Sequence, residues 1–277
     1  MVEDAVGAEG KSVRLIARHG LSIVVEAKAK DVDICVLMDV GPSAEALVNN
    51  VDVVGVNLRK IDAIMLSHGH YDHVDGLIPL LKAVGKSTPI FAHPKAFQPK
   101  FSLNKKLRFV GASYTPANIR GAGGIPVLTV DAVKIADGIM TTGEIARVSA
   151  YEKPKGFLTL ENGRFVEDAF ADDQALIINL RDKGLVIVTG CAHAGIVNTI
   201  IHAQKIMNTR KVYAVLGGFH LVDAANQRVR STVEALEEFN PQFLGPCHCT
   251  GKRAIRKLIE AFGDKCHQLK TGDSVEF

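Results

Sequence analysis

Residues 67–73 read Ser67-His68-Gly69-His70-Tyr71-Asp72-His73 and place four metal-competent side chains within six positions. Imidazole nitrogens with one carboxylate oxygen suit a divalent cation such as zinc, iron or manganese. The preceding run Ile61-Asp62-Ala63-Ile64-Met65-Leu66 reads as a compact strand. In an extended segment, side chains two apart point the same way, so His68 and His70 converge on one ion. Asp72 and His73 open a helix expected over 72–84 and face elsewhere, toward a second ion. Gly69 is expected to let the backbone bend tightly between them. A single histidine here would read as a cap or a satisfied core group, and Asp72 as a helix cap. His-x-His-x-Asp-His behind an apolar strand reads as a metal site.

Three later histidines sit where β-like runs end: His193 after 185–189, His220 after 212–216, and His248 before the last long helix. Strand ends of this kind gather site residues. His220 follows Gly217-Gly218 and is read as a substrate contact, a catalytic group or a reserve ligand, with close backbone packing as the competing reading. His19, His93, His202 and His267 lack such settings and read as structural. Cys191 follows Thr189-Gly190; both a zinc-ligating thiolate and an inert buried thiol fit it. Cys247 and Cys249 flank His248 without a second pair at knuckle spacing, so they are expected to pack.

His-x-His-x-Asp-His after a strand resembles the signature of the metallo-β-lactamase superfamily, and Met38-Asp39-Val40-Gly41 resembles its supporting aspartate. The resemblance implies an α+β fold, an αββα sandwich of two mixed sheets flanked by helices, with metal at one edge. It implies one or two divalent ions, zinc first, with iron, manganese or magnesium as alternatives. The implied ligands are His68, His70, Asp72, His73, His193 and His248, with His193 completing the first site and Asp39 orienting a ligand. This chain carries Cys191 where many members place a metal-bridging aspartate.

The runs Thr-Gly-Cys-Ala-His-Ala-Gly-Ile-Val-Asn (189–198), Leu-Gly-Gly-Phe-His-Leu (216–221) and Cys-His-Cys-Thr-Gly (247–251) resemble a narrower branch, the dihydropterin-ribofuranosylaminobenzene phosphate synthases of tetrahydromethanopterin synthesis. That branch implies an anionic, phosphorylated or diphosphate small-molecule substrate. The metals would bind the diphosphate of a pterin donor as an arylamine attacks, with Asp72 as ligand and proton acceptor. The alternatives are a phosphodiesterase-like hydrolase and a catalytically weak metal-binding sensor. An anionic substrate favours nearby cations, and Lys95, Lys100, Lys105, Lys106 and Arg108 supply a group of them. Arg120-Gly121-Ala122-Gly123-Gly124 could wrap a phosphate with backbone amides. Any one of these residues alone reads as solvated surface. Substrate contacts are therefore assigned to His220, Arg120 and Lys105.

Positioning such a site takes strands that deliver the motifs. Strands are expected over 13–18, 21–27 and 34–40, then a short helix capped by Ser43. In the second half strands are expected over 174–180, 185–189 and 212–216, with helices over 195–207 and 225–239 and a strand-loop-helix over 242–262. The whole chain, 1–277, is read as a single domain with an irregular insertion at about 94–167 that contains short strands over 126–130 and 144–150.

Bulk properties set the bounds. With 277 residues, 47% hydrophobic and 23% charged, the chain can bury a core without crosslinks. A net charge of +3 is too small to argue for a nucleic-acid partner. Five scattered cysteines are no disulfide framework, which points to a reducing cytoplasm. The acidic stretch 1–10 lacks the apolar centre of a secretory signal, and no apolar run is long enough to span a bilayer. The sequence leaves the oligomeric state open.

Overall fold

The computed structural model describes residues 4–6, 12–29 and 32–277. Most of the acidic stretch 1–10 lies outside them. The first half runs β1 (Asp4–Val6), β2 (Ser12–Arg14), β3 (Ile23–Ala29), β4 (Val32–Met38), α1 (Ala44–Val53), β5 (Ala63–Met65), α2 (Tyr71–Val74), α3 (Leu77–Val84), β6 (Thr88–Ala92), β7 (Lys100–Leu103), β8 (Leu107–Phe109), α4 (Pro116–Gly121) and β9 (Gly124–Leu128). There follow β10 (Lys134–Ala136), β11 (Ile139–Thr141), β12 (Phe157–Glu161), β13 (Arg164–Glu167), β14 (Ala175–Leu180), β15 (Gly184–Thr189), α5 (Ile196–Ile206), β16 (Val212–Gly218), α6 (Asn226–Phe239), β17 (Phe243–Cys247) and α7 (Lys252–Phe262).

Two mixed sheets carry the fold, in the orders β3-β4-β5-β6-β9 and β10-β11-β14-β15-β16-β17. Strand alternation sorts their side chains. Val36, Met38 and Met65 face Leu176, Ile178, Val186, Val188 and Leu216 between the sheets. Leu37, Ile64 and Ile90 point the other way and meet Leu47, Leu77, Leu80 and Leu81. Ile177, Ile187 and Val215 meet Ile196, Ile200, Val229 and Leu258 on the far side. Strands buried on both faces need helices on both outer surfaces, and the result is the expected αββα sandwich. Among the described residues no helix is long and apolar enough to cross a membrane.

The parallel register aligns the functional ends. Met38 pairs with Met65, Thr189 with Gly217, and Gly218 with Cys247. The C-terminal ends of β4, β5, β15, β16 and β17 therefore share one edge of the sandwich. The sheets are tied there by Gln174, whose backbone N–H donates to Ser67 O at 2.9 Å and whose Nε2 donates to Leu66 O at 3.1 Å.

The helix expected over 72–84 is broken into α2 and α3 at Asp75-Gly76. A β-carbon on Gly76 would stand 2.4 Å from Val40 O, and its N–H donates to Gly41 O, so the chain is pressed against the end of β4. Ser43 holds the cap position of α1 but makes no side-chain cap bond. The stretch 94–167 is more regular than an irregular insertion: β9 completes the first sheet and β10 and β11 open the second. The order β13-β12-β7-β8 forms a separate four-stranded sheet. The strand expected over 126–130 lies at 124–128, and 144–150 is no strand. Instead Val148 and Ser149 donate their N–H groups to Asn198 Oδ1 at 2.9 and 2.7 Å, which fastens that loop to α5.

Glu152 fastens the same loop by a second anchor, accepting from Val197 N and Asn198 N at 3.0 and 2.9 Å in the first turn of α5. Both amides are buried and have no helical partner. Glu152→Ala is expected to cost about 1–3 kcal/mol through the orphaned N–H groups, and Glu152→Gln, which keeps one acceptor, less. Urea denaturation of the three proteins checks the order; equal midpoints would deny the anchor its role.

Candidate metal centre

His68, His70 and His193 bring one ring nitrogen each within 4.8 Å of one another. His68 Nε2 stands 3.0 Å from His70 Nδ1. The other nitrogen of His68 is taken by Ser67 Oγ at 2.9 Å, so Nε2 is left facing the cluster. His193 comes in from the turn after β15 at 1% exposure, and neither of its ring nitrogens has a partner. His70 Nε2 is likewise buried and unbonded. Burial, then the like character of the neighbouring rings, pushes His68 and His193 well below the usual imidazole range. Burial does the same to His70, to about 3. Three neutral imidazoles with converging lone pairs are a donor set for a cation.

Asp72, His73 and His248 form the adjoining group. His73 Nε2 lies 3.2 Å from His248 Nε2, and Asp72 Oδ2 lies 3.4 Å from His248 and 3.7 Å from His73. Burial disfavours charging His73, yet the carboxylates of Asp39 and Asp72 outweigh it and raise the ring to about 9. Burial would raise Asp72, but the hydrogen bond with His248 and the nearby His73 hold its carboxyl far below the usual range. This half of the pocket favours positive charge. Asp72 suits a ligand role better than the expected one of proton acceptor near neutrality, because so depressed a carboxyl is a weak base.

The fit to a metal rests on the unbonded imidazoles. Buried polar atoms are normally satisfied, and His70 Nε2, both nitrogens of His193 and His220 Nδ1 are not. A cation bound by the converging nitrogens satisfies such a cluster.

Asp39 sets the orientation, as its place after β4 suggests. Its Oδ1 accepts from Ser67 N at 2.7 Å, and its Oδ2 meets Ser67 Oγ and His73 Nδ1, both at 2.7 Å. Fixing Nδ1 leaves His73 Nε2 to the site. Gly69 has a different role from the one expected. Its φ is not positive, and a β-carbon there would stand 1.9 Å from Ala96 O, so the need is for close approach rather than a tight bend.

Other expectations are revised. Lys100 is no substrate cation: at 2% exposure its Nζ is bonded to Asp168 and Asp172 at 2.8 Å each. Asp172 in turn accepts from Gly69 N at 2.8 Å, so this ion pair holds the His-x-His loop. Lys105 stands in the exposed turn between β7 and β8, and Arg120 on the exposed last turn of α4. Neither touches the six ligand candidates among the described contacts. The amides of Ala122 and Gly123 donate to carbonyls of α4, and Gly124 belongs to β9, so 120–124 is not a phosphate-wrapping loop. His220 does join the site, its ring centroid 4.1 Å from that of His193.

The sequence reading missed four contributors. His19 Nε2 lies 3.3 Å from Asp72 Oδ2 at the mouth. Phe170 stacks on His193, with centroids 3.9 Å apart and planes 8° from parallel. Phe157 of β12 reaches within 5.2 to 5.9 Å of the His70, His193 and His220 rings. Cys249 turns toward Cys191 and His248 rather than only packing. No local pattern singles out any of the four: along 157–161 the alternating apolar residues are Leu158 and Leu160, on the face opposite Phe157, and the contacts of all four are with residues distant in sequence.

Residues 16–150 match the model of the metallo-β-lactamase superfamily. A Methanocaldococcus jannaschii protein named 7,8-dihydropterin-6-methyl-4-(β-D-ribofuranosyl)-aminobenzene-5'-phosphate synthase is 37% identical over 94% of this chain and 90% of its own length. The chain belongs to the metallo-β-lactamase superfamily. Membership of the superfamily implies the binding of a divalent metal. An uncharacterised protein of the same organism is 30% identical over 89% of the chain and 90% of its own. The crystal structure of Tm1679, described as a metal-dependent hydrolase of the β-lactamase superfamily, superimposes with a TM-score of 0.79 at 26% identity, covering 99% of this chain and 96% of that one. The metallo-β-lactamase fold protein YhfI of Bacillus subtilis, 15% identical with a TM-score of 0.55 over 98% and 96% of the two chains, shares the superfamily fold.

Removing the cation of the buried triad tests how the superfamily motif is held. Lys100→Met leaves Asp168 and Asp172 unpaired, and breaking a buried pair in this way costs about 3–5 kcal/mol. Chemical denaturation should show that loss; a variant as stable as the parent would mean the loop is held by other contacts.

Proposed function

We propose that this chain is a divalent-metal enzyme acting on a phosphorylated or diphosphate small molecule, and that it joins a dihydropterin diphosphate to a ribofuranosylaminobenzene phosphate. The observation that carries the metal reading is His193, buried with both ring nitrogens unbonded and one of them within reach of His68 and His70. Support for the pterin reaction comes from the name of the M. jannaschii relative and its 37% identity over 94% of the chain.

His68, His70 and His193 would hold one ion and Asp72, His73 and His248 the other, with zinc the best match to such donors. A divalent cation in such a site polarises phosphoryl oxygens and lowers the pKa of bound water. The remaining work falls to the chain. The amine nitrogen forms a C–N bond as the C–O bond to the diphosphate breaks, and the amine loses a proton. His220, half-buried beside His193 with Nδ1 unbonded, is the group placed to hold the substrate or take that proton. Phe170, buried and stacked on His193, keeps water from the imidazoles, and the half-buried Phe157 offers an apolar ring to a flat heterocycle. Asp39 keeps His73 in one orientation.

The likeness to Tm1679 favours a second reading, a hydrolase in which water takes the place of the amine. Supplying the metal-loaded protein with the pterin diphosphate, with and without the arylamine, separates the two. The synthase reading expects a C–N product only with amine, and the hydrolase reading expects the pterin alcohol in either case. Chelation should abolish turnover, and His68→Ala or His193→Ala should lower bound metal on elemental analysis. Full metal content in both variants would defeat the site. Asp39→Ala is expected to weaken metal binding about 10–100-fold in a chelator competition, because the ligand it orients is set free.

A further inference from the structure

Sulfur lies at the meeting point of the two ligand groups. Cys191 follows β15, is buried, and places Sγ 3.3 Å from His73 Nε2. The same sulfur lies within 4.8 Å of a ring nitrogen of His68, of His193 and His220, and of His248 together with the sulfur of Cys249. Cys191 thus lies between the trihistidine group on one side and the Asp72 group on the other. Cys249 comes from the turn after β17 and packs its sulfur against Cys191 O at 3.5 Å. A β-carbon on Gly218 would stand 2.6 Å from that sulfur, so the glycine at the end of β16 leaves the room that Cys249 fills. Cys35 and Cys266, by contrast, are embedded in the apolar layers beneath the helices.

We infer that Cys191 is a thiolate ligand set between the two ion positions, and that Cys249 is a second sulfur donor on the His248 side. The inference rests on the metal reading above and concerns which of the chain's own atoms complete it. The thiol proton leaves to solvent as the sulfur–metal bond forms, so no oxidant or reductant is required. Mixed sulfur and imidazole donors prefer zinc, iron(II) and cobalt(II) to magnesium or calcium, which take oxygen. The neighbouring unbonded nitrogens of His193 and His220 face the same space, so sulfur and nitrogen donors share one pocket. A thiol buried only for packing would have no reason to lie within 4.8 Å of ring nitrogens of five imidazoles and of a second sulfur, the separation of donors that share an ion.

Cobalt(II) reports sulfur ligation directly, through a near-ultraviolet sulfur-to-cobalt charge-transfer absorption that nitrogen and oxygen ligands do not give. The full chain, stripped by chelation and reloaded with cobalt(II), should show this band. Cys191→Ser should lose most of it and Cys249→Ser part of it, with cobalt content by elemental analysis largely kept by the imidazoles. The wild-type spectrum alone decides whether sulfur ligates, so a variant that fails to fold does not rescue or obscure the inference. Cobalt bound without the band overturns sulfur ligation and leaves the imidazole site standing, and a band that survives both substitutions overturns the assignment to Cys191 and Cys249. A wild-type protein that takes up no cobalt overturns both.

Discussion

A single buried carboxylate, Asp39, ties the edge of the sandwich together. It receives Ser67 N, Ser67 Oγ and His73 Nδ1, and Ser67 Oγ continues to His68 Nδ1. One side chain at the end of β4 therefore orients a ring in each of the two histidine groups. Hydrogen bonds to a charged acceptor contribute about 1.5–3 kcal/mol each, against roughly 1–2 kcal/mol for holding Asp39 in the left-handed backbone region at φ 58°. Three such bonds outweigh that local cost, which is why the turn after β4 keeps an unfavourable conformation. The second tie is ionic: Lys100 holds Asp172, which holds Gly69 N, so the loop carrying His68 and His70 is clamped from both sides.

What could be read in the sequence was what is local. His68, His70, Asp72 and His73 lie within six residues behind an apolar strand, and the two-residue spacing of His68 and His70 turns both the same way. His193 and His248 were legible because each follows a β-run, and the parallel register brings those strand ends to one edge. The second-half strands and helices fell within a residue or two of their expected bounds, because continuous apolar runs and 3.6-residue periodicity are strong there. The four-stranded sheet was not legible as a unit. Its strands have three to five residues and are split in sequence by α4 and by β9 to β11. Lys100 misled for a related reason: a lysine in a basic stretch looks solvated until the fold sets two aspartates from 168–172 against it. His19 gave no signal at all, since its contact with Asp72 depends on how β3 enters the first sheet.

The backbone records where the chain bends for the site. Nine non-glycine residues among those described have positive φ, and four of them are Asn162, Asp182, Asn208 and Asn240, residue types that tolerate this region in turns and helix ends. The other five are Asp39, Phe170, Ala192, His220 and His248. Every one lies in or against the histidine cluster, although they come from five separate segments. Left-handed backbone at Phe, Ala or His has no local compensation and costs on the order of 1 kcal/mol per residue. Such a cost persists only where the surroundings fix the conformation, and here each strand must turn sharply at its end to aim a ring back over the edge of the sheet. Glycine would lower the cost at Ala192 but would remove no donor, whereas at His220 and His248 it would. The strain at those two positions therefore follows from the side chains they must present, and it is concentrated on the edge of the sandwich where the histidines meet.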